Sequence, residues 1–286
     1  MNSKVGKLES KFSNLRVFLM GGTKDSINII KFLKETYNSS YILTTTTTNY
    51  GGKLAKEAGS DDVVDKPLSE SEILNLLNNY FDENGFDVFI DATHPFASHV
   101  TSTAIKTSKI ANIPYIRFER PGTDYSNFEN HSNNIYFVDS FEEAGDLIST
   151  NFFNNNILHL AGVNTIESIL SSSKSKIDKK NFFVRVLPIK SSIEKCNNLG
   201  IYGENIIAMQ GIFSKKFNKA LMEELNTQVI ITKESGDIGG VHSKIAAAID
   251  LKIAVILVNR PKIKELENEF IINDIDQLKI SLENIL

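Results

Sequence analysis

A single cysteine, Cys196, in 286 residues leaves no partner for an internal disulfide. It also removes the ligand set of a Cys-rich zinc site or an iron–sulfur cluster. Any redox chemistry must then be carried by a bound organic cofactor. No run approaches the roughly 20 apolar residues of a membrane-spanning helix; the longest, such as Val88-Phe89-Ile90 and Ile253 to Val258, are strand-sized. Met1 to Phe12 is polar, carries both charge signs and lacks the apolar core of a signal peptide, so a cytoplasmic location is expected. There is no basic surplus either. Lys and Arg total 31 against 35 Asp and Glu, a net charge of -4, which argues against a nucleic-acid partner. The five histidines are scattered, and His94 and His99 miss the i,i+4 spacing of ligands on one helix face. No metal bound by the protein is expected. What remains, 41% hydrophobic and 23% charged residues, suits one large or two medium globular domains.

Apolar runs and helical periodicities alternate along the chain. Leu15 to Met20 reads as a buried first strand, followed by Gly21-Gly22-Thr23 and a helix from about Asp25 to Tyr37 with Ile27, Ile30 and Leu33 on its inner face. Tyr41 to Thr48, Asp62 to Asp65, Asp87 to Ala92 and Pro114 to Phe118 read as further strands. Ser69 with Glu72 forms a capping box, Phe96 to about Ala111 reads as a helix, and Ser140 with Glu143 caps another. The pattern restarts with strands at Ile157 to Ala161, Phe182 to Leu187, Ile206 to Met209, Val229 to Thr232 and Ile253 to Val258. Ser191 with Glu194 marks a helix start, and Gly200 its C′ residue. Strand–helix alternation implies right-handed crossovers and parallel sheets, and about ten strands suit two sheets better than one. The sequence thus predicts an α/β fold of two domains, 1–150 and 151–286, with the Asn-rich stretch Asn151 to Asn156 at the boundary. Pro121 to Asn134 is the other irregular region.

Three loops carry chemistry. Gly21-Gly22-Thr23-Lys24-Asp25-Ser26 joins a first strand to a first helix, where glycines let the backbone N–H groups approach a phosphate. It is not a full G-x-G-x-x-G, because Ser26 replaces the third glycine. Nor does an acid, or an arginine for a 2′-phosphate, stand about 20 residues on; Thr44 to Thr48 occupy that place. Asp91-Ala92-Thr93-His94-Pro95-Phe96-Ala97 gathers a carboxylate, a hydroxyl and an imidazole at the C-terminal edge of a strand, with Pro95 suited to the first helical position. Thr232-Lys233-Glu234-Ser235-Gly236, with Gly239-Gly240 and Lys244, offers a backbone nest with added positive charge.

These segments resemble the precorrin-6A reductase family of cobalamin biosynthesis. The resemblance rests on the Gly21-Gly22-Thr23 turn, on Asp91 to Ala97 with Ile113-Pro114-Tyr115 to Pro121, on Arg185-Val186-Leu187-Pro188, and on Asn205 to Ser214 with Lys233 to Lys244. They lie in order from about residue 15 to 261. The scarcity of Cys and Arg and the abundance of Asn, Ile and Lys suggest an AT-rich genome, which tilts the reading toward the anaerobic, cobalt-containing branch over the cobalt-free one.

The resemblance implies two Rossmann-like domains with a ligand cleft between them, the N-terminal one holding the nicotinamide nucleotide and the C-terminal one the substrate. It implies hydride transfer from NADH or NADPH to C19, reducing the C18–C19 double bond of (cobalt-)precorrin-6A. Gly21, Gly22 and Thr23 would hold the pyrophosphate, and Thr44 and Thr45 would lie toward the adenosine ribose. Asp91, Ala92, Thr93 and Pro95 would line the nicotinamide side, with Gly239, Gly240 and Lys244 closing the site. Arg117, Arg120, Arg185, Lys233 and Ser235 are the residues expected toward the carboxylate-rich macrocycle. His94 or Lys233 could supply the proton. The expected partner is this tetrapyrrole, with no nucleic acid or membrane, and the chain is expected as a monomer or weak homo-oligomer. An enzyme using S-adenosylmethionine and a non-catalytic tetrapyrrole or nucleotide carrier are the rival readings of the same fold.

Overall fold

A computed structural model describes residues 14–81, 85–126, 128, 134–172, 177–236 and 239–285. The polar stretch Met1 to Phe12 and His131 lie outside them. In chain order the strands are β1 (Arg16–Met20), β2 (Tyr41–Thr45), β3 (Asp62–Val64), β4 (Val88–Asp91), β5 (Tyr115–Phe118), β6 (Ile135–Val138), β7 (Ile157–His159), β8 (Phe182–Val186), β9 (Ile206–Ala208), β10 (Val229–Lys233), β11 (Ala254–Val258) and β12 (Phe270–Ile272). They form two six-stranded sheets, β12-β5-β4-β1-β2-β3 and β6-β11-β10-β7-β8-β9, in which every pairing is parallel. Both sheets have helices on their faces, so central strands are buried on both sides and read as continuous apolar runs. Along β1, Val17 and Leu19 pack with Ile29, Ile30 and Leu33 of the helix Lys24–Thr36. Phe18 and Met20 point to the other face, against Ile73, Leu77 and Ile105. No helix among the described residues is long and apolar enough to cross a membrane.

The chain divides into unit 1, Met1–Pro121 with Lys262–Leu286, and unit 2, Gly122–Pro261. The break expected at 150/151 therefore lies inside unit 2. Backbone pairing explains the difference. β6 pairs with β11, and the helix Phe141–Leu147 packs so closely on Ile166–Ser172 that a Cβ on Gly145 would strike Ser172 and the Ile169 carbonyl. The observed break, at Pro121, opens the other irregular stretch.

Each unit has the same order, read from its outer strand as third, second, first, fourth, fifth and sixth. In unit 1 the sixth strand is β12, supplied after unit 2 is complete. In unit 2 it is β6, supplied before the unit's first strand β7. These two are the strands the sequence reading lacks. Both are short, and Phe137, Phe270 and Ile271 are exposed.

Local corrections have local causes. The helix expected from Phe96 begins at Ser98, because Thr93 to Ala97 forms a turn closed by Ala97 N–H on the His94 carbonyl and Phe96 N–H on His94 Nδ1. Pro95 sits in that turn and not at the first helical position. Ser191 is not a cap; the helix Lys190–Asn198 starts two residues earlier than that cap would set, after Ile189, with no side-chain cap. Gly200, at φ +74°, does follow that helix as expected. The last threonine of the Thr run, Thr48, caps a helix Asn49–Ala58 absent from the sequence reading.

Candidate functional site

In unit 1 the first three strands end around the β1 turn. Gly22 has a φ of +90°, a conformation glycine adopts at little cost, and no heavy atom lies within 4 Å of where its Cβ would stand. Thr23 caps the following helix through Ser26 N–H, and its own hydroxyl donates to the Ala92 carbonyl at 2.8 Å, fixing the β1 turn to the β4 turn. Gly21 is required by packing: a Cβ there would come within 2.8 Å of Ser26 Oγ and 3.3 Å of the Thr44 methyl. Beside this turn lies a cavity of about 210 Å³, lined by Gly21, Thr45, Thr46, Lys66, Thr93 and His99 among others. It is open at the strand C-termini, the edge at which such sheets bind ligands. A glycine turn at a helix N-terminus, next to a mostly apolar cavity that carries threonine hydroxyls, has room and donors for a phosphate and an attached ring system.

Not every residue expected at this site reaches it. Thr44 is fully buried and hydrogen-bonds Ser60 Oγ at 2.7 Å; Thr45 and its neighbours Thr46 and Thr47 line the cavity instead. Asp91 is fully buried, accepting from Thr93 N–H at 2.9 Å, Thr93 Oγ1 at 2.7 Å and Tyr115 OH at 2.9 Å, and pairing with Arg117 at 2.9 Å. It shapes the β4 turn and does not face a ligand. Of that turn, Thr93 lines the cavity, while Ala92 and Pro95 are buried behind it. Arg117 has no exposed surface and is held by Asp91, Glu119 and Thr93 Oγ1. A guanidinium so enclosed cannot meet a macrocycle, which corrects its expected substrate role. Arg120, 7% exposed, pairs with Asp25 at 2.6 Å, in the first turn of the helix after the glycines. That geometry is the structural ion pair and not an open carboxylate grip. His94 is half-buried, its Nδ1 accepting from Phe96 N–H.

Unit 2 places its expected residues differently. Its first strand β7 is followed by Gly162, at φ +97°, the topological counterpart of Gly22. Here a second cavity of about 210 Å³ is lined by Gly162, Arg185, Gly239, Gly240 and Lys244, with apolar walls that include Val186 and Met209. Arg185 donates to Asn218 Oδ1 at 3.0 Å and lies 5.0 Å above the Phe213 ring. Lys244 is buried, with Nζ 3.4 Å from Thr232 Oγ1 and from the Gly239 carbonyl. Burial pushes the Arg185 guanidinium down to about 10 and Lys233 down to about 8. Burial, reinforced by the charges of Arg185 and Lys233, brings Lys244 to about 7. His159 below them is fully buried and pushed to about 4 by desolvation and both lysines, so it adds no positive charge near neutrality. Ser235 is buried and packs so closely on Gly239 that a Cβ there would strike its hydroxyl; it does not line the cavity.

Sequence reasoning missed Lys66, His99 and Asn218. Lys66 follows β3 at the same sheet edge as the other loops, so the strand-end rule would have found it. Asn218 sits inside a helix, where nothing in the sequence marks it.

The chain is similar to known proteins along nearly its whole length. A family model described as "Precorrin-6x reductase CbiJ/CobK" matches residues 16–282. The cobalt-precorrin-6A reductase of Methanocaldococcus jannaschii is 38% identical over 271 residues, 95% of this chain and 99% of that one. That of Methanococcus maripaludis is 36% identical over 266 residues, covering 93% and 99%. A solved structure titled "CobK precorrin-6A reductase" shares the fold, with a TM-score of 0.70 over 95% of this chain and 97% of that one, at 16% identity.

Proposed function

Since the chain belongs to the precorrin-6x reductase family, we propose that unit 1 takes the nicotinamide nucleotide and that unit 2 supplies the charge that meets the macrocycle. The reaction is the NAD(P)H-dependent reduction of cobalt-precorrin-6A in cobalamin biosynthesis. When bound, the reduced nicotinamide supplies a hydride to C19, and a proton completes the reduction of the C18–C19 bond.

The observation that carries the nucleotide assignment is the β1 turn. Gly22 leaves its outer side open, the helix behind it runs 13 residues, and the Thr23–Ala92 hydrogen bond holds the turn rigid against β4. Rigid amides at a helix N-terminus bind phosphate without a cation. Thr45, Thr46 and Thr47 face the adenosine ribose and Thr93 the nicotinamide direction. Lys66, which pairs with Glu72 at 2.7 Å, is the cation available to a 2′-phosphate. With no fully buried charged side chain beside Thr45 to Thr47 among the described residues, the chain uses both NADH and NADPH, with a preference below about a hundredfold.

The proton comes from Lys233. Its position at the end of β10 and its value near 8 leave it protonated at neutral pH yet close enough to release its proton, as a general acid requires. The Nδ1 of His94 accepts from Phe96 N–H and so carries no proton to give at that atom. The test is anaerobic turnover with cobalt-precorrin-6A and each nicotinamide, followed by NAD(P)H absorbance, with S-adenosylmethionine as competitor. Oxidation of the nicotinamide in step with macrocycle reduction is expected. Displacement of the nicotinamide by S-adenosylmethionine, or binding without turnover, would overturn the reading. Lys233→Met should lose activity with nucleotide affinity intact, and Lys233→Arg should move the pH limb upward.

A further inference from the structure

Two cations, the part-buried Arg185 and the buried Lys244, share the unit 2 cavity without an anion among the described residues. Neither Arg185 nor Lys244 meets a carboxylate among the described residues; their contacts are an amide, a ring, a hydroxyl and a carbonyl. The nearest acid in sequence, Glu234, is spent elsewhere: it accepts from Thr123 N–H and hydroxyl and from Gly236 N–H, and it pairs with Arg260. Like charges brought together in a desolvated site cost free energy unless something compensates them. Lys244 is 7% exposed and lines the cavity, so the compensating group has a place to enter.

The walls say which anion. Leu160, Val186, Met209 and Phe213 line the cavity, and at its rim Leu187 and Ile212 are 47% and 63% exposed. A cavity that sets two cations beside apolar side chains suits a carboxylate on a short alkyl arm, which buries its methylenes and presents two oxygens. A phosphate suits it poorly, having more oxygens to satisfy and no methylenes to bury. The turn after β7 is also unlike the phosphate turn of unit 1. It leads through a single 3-10 turn, Val163–Thr165, without a side-chain cap, into the short helix Ile166–Ser172.

We propose that the unit 2 cavity is a carboxylate pocket, in which Arg185 and Lys244 together grip one acetate or propionate arm of the macrocycle while Leu187 and Ile212 receive the apolar edge of the ring. It rests on the reading that the substrate is this macrocycle, and it reassigns Gly239, Gly240 and Lys244 from the nucleotide to the substrate.

The variants Arg185→Met and Lys244→Met keep length and apolar packing and remove the charge. Each is expected to raise the Michaelis constant for the macrocycle about ten- to a hundredfold, the worth of one charged hydrogen bond. The dissociation constant of NADPH should stay within about twofold, and neither melting temperature should fall. A weakened NADPH with an unchanged macrocycle constant would make the pocket a cofactor-phosphate site and overturn the proposal. So would lower melting temperatures with both constants unchanged, the mark of a structural role. A second measurement does not need turnover. Sodium propionate should raise the melting temperature of the unsubstituted protein and not of the double variant, because a ligand that binds only the folded state stabilises it. Inorganic pyrophosphate is run alongside. Absence of the propionate shift, or a larger shift with pyrophosphate, overturns the carboxylate assignment. Failure of the functional reading would show separately, as an unsubstituted protein that shifts with propionate but does not turn over.

Discussion

The two units share a strand order and treat buried charge in opposite ways. In unit 1, Asp91 closes β4 and is answered by Arg117, while Arg120 is answered by Asp25. In unit 2, β10 holds the corresponding place in the order, and the residue closing it is Lys233, with Arg185 and Lys244 as further cations. A paired buried charge has its partner within the fold and serves shape: it fixes the β4 turn against which the glycine turn is tied. Arg185 and Lys244 meet no carboxylate among the described residues, and the proposed pocket gives them one from outside the fold. The same topology thus yields, in unit 1, a cavity of threonines and apolar side chains with Lys66 and Glu70 both on its wall and, in unit 2, one walled by Arg185 and Lys244. That difference matches a phosphate-bearing nucleotide held by backbone, and a polycarboxylate held by side chains.

The comparison breaks most visibly at Arg117. Arg117→Met leaves Asp91 buried without its cation, and breaking such a pair costs about 3–5 kcal/mol. Denaturant unfolding should show that loss. A variant as stable as the parent would mean that Asp91 is not held by charge.

Arg120→Ala should behave the same way at a somewhat smaller scale, about 3 kcal/mol, since the helix N-terminus still favours the buried Asp25 carboxylate. The Michaelis constant for the macrocycle in the surviving enzyme should be unchanged. A raised constant at native stability would put Arg120 among the substrate contacts.

Gly22→Val should weaken NADPH at least tenfold by fluorescence titration, because a branched side chain would occupy the open side of the turn. It should also lower the melting temperature, since valine is strained at φ +90°. Equal affinity would remove this turn from the nucleotide site.

The pH dependence sharpens the unit 2 side. Lys244 sits near 7 in the fold against about 10.4 unfolded. Between those values the folded protein binds fewer protons than the unfolded chain, so stability rises with pH across that window. Below about 7 the full cost of burying the charge is present. A bound carboxylate needs the charged form. The Michaelis constant for the macrocycle should therefore rise several-fold as pH increases from about 6.5 to 9, and less steeply in Lys244→Met. Of the groups facing Lys244, Arg185 near 10 and His159 near 4 hold their charge state through most of this range, and Lys233 near 8 shares the titration. A flat profile would show that Lys244 does not hold the substrate.

Lys66→Met is the smallest expected effect. As an exposed cation already paired with Glu72, it is worth at most about 1 kcal/mol to a 2′-phosphate. The ratio of NADPH to NADH efficiency should fall less than about fivefold. A larger fall would make Lys66 the determinant of cofactor choice.

Much of this architecture was legible because parallel strands buried on both faces leave apolar runs that no helix mimics. Leu15 to Met20 and Ile253 to Val258 are examples. β6 and β12 were not legible because each is short and half-exposed, and because each completes the sheet of a unit from beyond that unit's other strands; local pattern carries no such information. The glycine turn and the Gly239-Gly240-Lys244 cluster were visible from residue type at strand ends. Which arginine faces a ligand was not. Arg117, Arg120 and Arg185 all follow or occupy strands, and only the fold shows that the first two meet carboxylates while the third meets none among the described residues.

The most direct test sets one residue of each kind in a single experiment, the thermal melts of Arg117→Met and Lys244→Met beside the parent protein without ligand. The account predicts that Arg117→Met melts on the order of 10 °C lower and that Lys244→Met melts at or above the parent. If Lys244→Met falls as far as Arg117→Met, the unit 2 cations are structural, and the contrast between the two units does not stand.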